Sequence, residues 1–148
     1  MNSQPPFIGQ ERPDTCAIAC LRMILAYHGS ESTEAQVLQT AAMQPSGLDP
    51  EGLAQLSRRY GLRAVEQQLD QDTLFELIRQ HRSPIVFLYR RIINHVGEGH
   101  AVIPVRLSRH YVTFLDPLRG ERRVAIRKFE EARRIVGQWG IVWERPAT

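Results

Sequence analysis

Lysine is nearly absent from this chain: Lys128 is the only one among 19 cationic residues, and the rest are arginine. No basic run interleaved with aromatics occurs, so the formal charge of +3 reads as a solvated arginine-rich surface, and no nucleic-acid partner is expected. Cysteine is almost as scarce. Cys16 and Cys20 are the only two, and their four-residue helical spacing makes a bridge between them geometrically awkward. A reduced compartment with one reactive and one buried thiol fits better than a disulfide framework. Long apolar runs are missing too: stretches such as Ile85 to Tyr89 fall far short of the roughly 20 residues a membrane helix needs. Met1 to Gly9 has neither the cationic start nor the apolar core of an export signal, so a cytoplasmic protein without a membrane span is expected. Internal repeats, low-complexity tracts and linkers are likewise lacking. With 148 residues and 43% hydrophobic content, one domain over residues 1–148 is the expectation.

What is present falls into two halves. From Cys16 to about Tyr27 the chain is apolar nearly all round, which predicts a buried central helix closed by Gly29. Thr33 with Gln36 forms a capping-box pattern opening a second helix to about Met43, and Asp49-Pro50 opens a third that Gly61 closes. A fourth spans Thr73 to about His81, with Arg63 to Leu69 before it as a short edge strand. After Pro84 the pattern changes. Ile85 to Tyr89, Ala101 to Leu107, Tyr111 to Leu115 and Arg123 to Ile126 are short and rich in Val, Ile, Phe and Tyr, as in an antiparallel meander. A short helix from Phe129 to Val136 and a strand from Trp139 to Trp143 end the chain. Helices first and strands second predict an α+β fold, with the N-terminal helices packed on one side of a C-terminal antiparallel sheet.

Four residues carry chemistry. A thiol with a pKa near about 8.5 is mostly protonated at neutral pH, and the start of a helix supplies the field that favours its thiolate. Cys16 stands where the first buried helix must begin, after Pro13 and Asp14, while Cys20 lies one turn deeper and reads as core. His100 opens a strand, from which its imidazole can take the thiol proton. Asp116 ends the next strand. Two antiparallel strands joined by the Ser108 to His110 turn bring the start of one beside the end of the other, so a His100 to Asp116 hydrogen bond is expected. Gln10, six residues before Cys16, is placed to donate to an oxyanion together with the Cys16 backbone N–H. Each has a plainer reading: a small core residue for Cys16, a turn residue before Pro117 for Asp116, a solvated side chain for Gln10.

The stretch from Gln10 through Glu11, Arg12, Pro13, Asp14, Thr15 and Cys16 to Gly29 resembles the first motif of the bacteriocin-processing, double-glycine leader peptidase family, a papain-like group of cysteine peptidases. Gly99-His100-Ala-Val-Ile-Pro-Val, continuing to Asp116-Pro117-Leu-Arg-Gly120, resembles its second motif. The resemblance spans nearly the whole chain in order and spacing. It implies a papain-like cysteine protease fold in which Cys16 attacks, His100 is the base, Asp116 orients it and Gln10 lines the oxyanion hole. It also implies a peptide or protein substrate with a leader segment, cut after small residues of the Gly-Gly type. Members of the family are often the amino-terminal domain of a peptide exporter; with no membrane or nucleotide-binding segments here, the chain is expected to act alone or with a separate transporter. Asp14-Thr15-Cys16-Ala17 departs from the family, which usually puts an acidic residue directly before the cysteine and often Gly after it, and this bears on substrate preference.

Two outcomes stay open: hydrolysis of the acyl-enzyme or acyl transfer to an amine. A non-catalytic module of the same fold that binds a leader or secretion signal is the alternative. No cofactor or metal is expected, because Cys16, Cys20 and His28 are too few and too helical in spacing for a zinc site, and His81, His95 and His110 show no ligand pattern.

Overall fold

A computed structural model describes residues 4–41, 48–91 and 99–144. In chain order these form α1 (Cys16–Tyr27), α2 (Glu34–Thr40), α3 (Pro50–Arg59), β1 (Ala64–Gln68), α4 (Gln71–Arg79), β2 (Ile85–Tyr89), β3 (Gly99–Leu107), β4 (Tyr111–Asp116), β5 (Gly120–Ala125), α5 (Ile126–Ile135) and β6 (Trp139–Trp143). The expected order of helices and strands is present, and the fold is α+β.

Local chemistry sets the helix ends. Gly29 adopts φ 87°, a left-handed conformation that costs glycine little, and the Gly29 and Ser30 N–H groups then donate to the Ala26 and Leu25 carbonyls. Thr33 and Gln36 exchange both hydrogen bonds of the capping box, at 3.1 and 2.8 Å. The second helix stops at Thr40, earlier than expected, because Ala41 is extended; Met43 lies outside the described residues. Asp49 accepts from the Gly52 N–H at 2.7 Å and Pro50 fills the first turn of α3. The fourth helix opens two residues before the expected Thr73, because Asp70 accepts from the Thr73 N–H at 2.8 Å and so acts as its N-cap.

The six strands form one antiparallel sheet ordered β1-β6-β2-β3-β4-β5. β2 to β5 are the expected meander, and β1 is the expected edge strand. The closing strand inserts between β1 and β2, pairing Val65 with Val142 and Ile85 with Ile141. Pro104 cannot donate to the ladder, and the register between β3 and β4 shifts between Pro104 and Arg106.

The core corrects one expectation. Helices cover both faces of the sheet. Ile18, Leu21, Ile24, Leu53, Ile85, Phe87 and Ile103 form one buried cluster with α1 to α3; Leu74, Ile78, Val86, Leu88, Val102, Phe114 and Phe129 form another with α4 and α5. Alternate residues of β2 therefore face opposite cores, which is why Ile85 to Leu88 is an unbroken apolar run. A second correction concerns the chain's last third. β5 opens at Gly120, its charged residues having hidden a strand with one exposed face, and Ile126 belongs to α5, where its N–H donates to the His110 carbonyl at 2.9 Å. Within α5, the buried Arg133 forms a bidentate ion pair with Glu130 at 2.6 and 2.7 Å and donates to the Leu69 carbonyl, pinning the helix to the start of α4. Among the described residues, no helix is long and apolar enough to cross a membrane.

Candidate active site

The approach to α1 is held from several sides. The buried Thr15 hydroxyl donates to the Arg12 carbonyl at 3.0 Å and accepts from the Arg12 N–H at 3.1 Å, closing the turn that delivers Cys16 to the first position of the helix. Glu34, also buried, accepts from the Glu11 N–H at 3.1 Å. The Gln10 N–H donates to the Pro117 carbonyl at 2.9 Å, tying this approach to the end of β4. The first turn of α1 has no acidic residue and no side-chain cap, so its amides remain available to an anion.

The sheet supplies the other two groups. Ile103 pairs with Leu115, so the start of β3 runs beside the end of β4 and His100 reaches Asp116. His100 Nε2 and Asp116 Oδ1 are 2.7 Å apart, the cross-strand hydrogen bond expected from the sequence. With Nε2 committed, Nδ1 is the ring nitrogen left to face the Cys16 thiol, and the two groups are near enough to shift each other's pKa. Asp116 is a turn residue as well, since Oδ1 accepts from the Leu118 N–H at 2.9 Å. Its Oδ2 lies 3.4 Å from Arg122 Nη1.

This arrangement polarises all three groups. Burial pushes the Cys16 thiol up, but the hydrogen bond and charge of His100, then the N–H groups of Ala101 and Ala17, outweigh it and leave the thiol below its ordinary range. Burial pushes the imidazole down, yet Asp116 and Cys16 together raise His100 to about 9. For Asp116, burial acts upward and is overcome by His100, the Leu118 N–H and Arg122, holding the carboxyl at about 2. All three shifts act toward a thiolate facing an imidazolium, with a carboxylate behind it. Cys20 is fully buried, and burial, then the charges of Cys16 and Asp116, push its thiol well above its ordinary value.

Cys16 and His100 open into a cleft of about 960 Å³. Its walls include Leu48, the start of α3, Phe87, Val136 and Trp139. Gln10 is not among the lining residues. Its side-chain Nε2 donates to the carbonyls of Arg12 at 2.8 Å and Pro13 at 3.3 Å, and its Oε1 is buried without a hydrogen-bond partner among the described residues. The structure thus joins Cys16, His100 and Asp116 directly and turns the Gln10 amide onto its own loop. Sequence reasoning missed Arg122, which looked like one more surface arginine, and the start of α3 as a cleft wall; the two-residue offset of Arg122 from Gly120 across a hairpin was the available signal. Among the described residues, no group of three or more His, Cys, Asp and Glu side chains is arranged to hold a metal ion.

The model of the peptidase C39 family matches residues 4–132. This chain belongs to the peptidase C39 family. The fold of this C39 member is also that of several solved structures. A putative C39-like peptidase from Bacillus anthracis matches with a TM-score of 0.80 at 18% identity, over 99% of this chain and 97% of that one. The peptidase domain of Streptococcus ComA, a bi-functional ABC transporter involved in quorum sensing, matches with a TM-score of 0.78 at 16% identity, over 94% and 97%. A double glycine motif protease from an AMS/PCAT transporter, solved in complex with the leader peptide, matches with a TM-score of 0.75 at 17% identity, over 97% and 94%. The C39 chain therefore has the papain-like fold expected from its sequence. No curated protein matches it by sequence.

Proposed function

We propose that this chain is a cysteine peptidase that removes a leader segment from a peptide or protein substrate, cutting after small residues of the Gly-Gly type. The Cys16 thiolate attacks the scissile carbonyl carbon. The His100 imidazolium gives its proton to the departing amine, and a thioester to Cys16 remains. Neutral His100 then takes a proton from water, whose oxygen attacks the thioester and releases the acid and the thiolate. Asp116 holds the imidazole in one tautomer and balances its charge throughout. The observation carrying this reading is the His100 to Asp116 hydrogen bond, with His100 and Cys16 lining one substrate-sized cleft.

Gln10 serves as oxyanion donor, with the Cys16 backbone N–H, by releasing the Arg12 and Pro13 carbonyls. A tetrahedral oxyanion is a stronger acceptor than either carbonyl, so the exchange is favourable once substrate is attacked. Apolar walls at Phe87, Val136 and Trp139 limit the room beside the sulfur, so small residues are selected by exclusion of larger ones. Family membership supports peptidase chemistry. The fold shared with a double glycine motif protease complexed with a leader peptide supports the substrate class, and the two ABC-transporter neighbours support a peptide exporter as partner.

The test is incubation of the purified protein with a synthetic double-glycine leader peptide, with products weighed by mass spectrometry. Cleavage after the Gly-Gly pair is expected, abolished by Cys16→Ala at unchanged thermal stability; turnover by the Cys16→Ala protein rejects the assignment. Product masses also separate hydrolysis from acyl transfer. One observation favours a second reading, a binding module for a leader or secretion signal: the Gln10 amide is satisfied by its own loop rather than presented to the cleft. That reading predicts saturable peptide binding with no product.

A further inference from the structure

We infer that Arg122 of β5 is a positioning residue for the site, fixing the Asp116 carboxylate so that its Oδ1 stays on His100. The inference rests on the reading of Cys16, His100 and Asp116 given above and extends it by one residue.

Asp116 has no solvent exposure, so each oxygen of its carboxylate must find a partner within the protein. Oδ1 takes His100 Nε2 and the Leu118 N–H, at 2.7 and 2.9 Å. Oδ2 faces the Arg122 guanidinium, at 3.4 Å from Nη1. Without a cation there, Oδ2 is left buried with no counter-charge, and the carboxylate tilts toward other donors at the expense of its bond to His100. The contact is long for a hydrogen bond, so its effect is mainly that of charge and of a filled space.

The hairpin places Arg122 for this task. Gly120, at φ 91°, sits opposite Asp116, and Arg122 sits opposite Phe114. Because residues two apart on a strand share a face, Arg122 is diagonal to Asp116. Its Cζ lies 5.9 Å from the centroid of the Phe114 ring, and that fully buried ring leans on Phe129 of α5 with centroids 5.5 Å apart. The guanidinium is thereby held between an immobile ring and the carboxylate, with its side chain only 25% exposed. The packing of α5 on one face of the sheet reaches the nucleophile by contact through Phe129, Phe114, Arg122, Asp116 and His100.

The titratable and charged groups facing Asp116 are His100 from β3, Arg122 from β5 and Cys20 from α1, with Cys16 beyond the imidazole. Removing the Arg122 charge withdraws positive charge from the thiolate and loosens the Asp116 carboxylate on His100, while the loss of a like charge beside the imidazolium acts the other way. The loosened Asp116 to His100 bond and the lost positive charge outweigh that opposing effect, and the acid limb of Cys16 reactivity moves to higher pH.

The experiment measures iodoacetamide alkylation of Cys16 against pH in the full chain, with leader-peptide cleavage alongside, for wild type, Arg122→Gln and Arg122→Lys. For Arg122→Gln the acid limb of alkylation is expected to rise by about half a pH unit or more, with kcat about tenfold lower and KM within about twofold. Arg122→Lys is expected to restore most of both. An Arg122→Gln acid limb coincident with wild type overturns the inference, since a residue that only pins the hairpin lowers melting temperature without moving that limb. If Arg122→Gln does not fold, Arg122→Lys decides: a folded lysine variant whose acid limb has risen by half a unit or more also overturns it. Alkylation needs only the thiolate, so wild-type protein that fails to cleave any leader peptide sinks the proposed substrate and leaves the Arg122 result readable.

Discussion

The mouth of α1 and its second turn each carry a thiol, and the two behave in opposite ways. Cys16 is partly exposed at the first helical position, and the neighbouring His100 lowers its pKa. Cys20, one turn on, is fully buried, and its pKa is raised well above the ordinary thiol value. Both feel burial as an upward push; what separates them is a partner. An imidazolium and two backbone N–H groups reach the first sulfur, while the second has apolar neighbours and two repelling anions. On the proposed reading, thiol reactivity is a property of what the sheet delivers to the helix end, not of the helix alone.

Removing the group behind the imidazole is the strongest way to break this contrast. Asp116→Asn should lower kcat for leader cleavage by about three to four orders of magnitude, since the imidazole loses its tautomer and its counter-ion. It should also slow Cys16 alkylation at pH 6 toward the inertness of Cys20, which mass-spectrometric labelling reads directly. Native Asp116 has its pKa depressed from 3.8 to about 2, so it contributes stability above about pH 4 that is lost as pH falls through about 2. Thermal melts across that window should show the loss in the wild type and not in the Asn variant.

Gln10→Ala sharpens the comparison by separating thiol activation from oxyanion stabilisation. It should cost about two to three orders of magnitude in kcat while leaving the alkylation rate of Cys16 at pH 6 within about twofold. A smaller effect is expected at the second turn. Cys20→Ala should leave kcat and KM unchanged and lower stability by about 1 kcal/mol, as loss of a small, fully buried side chain does, measured by denaturant unfolding.

How much of this was legible in the sequence depends on how local each determinant is. The apolar run after Cys16, the Thr33 and Gln36 capping box and the Asp49-Pro50 start acted within a few residues, and the helices formed there. The His100 to Asp116 hydrogen bond was legible because one short turn joins their strands and fixes the register. Where tertiary contacts decide, the reading failed. Nothing local to Trp139 to Trp143 says that this strand enters between β1 and β2, and the pairing of Ile85 with Ile141 joins positions far apart in the chain. Two-sided packing was written in the unbroken apolar run of β2, which looked like one more meander strand. Arg123 to Ile126 reads as a strand on its Val and Ile; Ile126 is instead the first residue of α5, with its N–H on the His110 carbonyl. Arg122 and the turned-in amide of Gln10 were not legible, because a long polar side chain finds its partner only once the surrounding backbone is in place.

The account depends most on Cys16 existing as a thiolate against a protonated His100, and the pH dependence of its alkylation tests that most directly. Peptide mapping after brief iodoacetamide exposure should show Cys16 labelled rapidly at pH 6, at a rate nearly flat through neutrality, with Cys20 unlabelled in the folded protein. A rate that climbs only as pH approaches the ordinary thiol pKa of about 8.5, or equal labelling of the two cysteines, would contradict it.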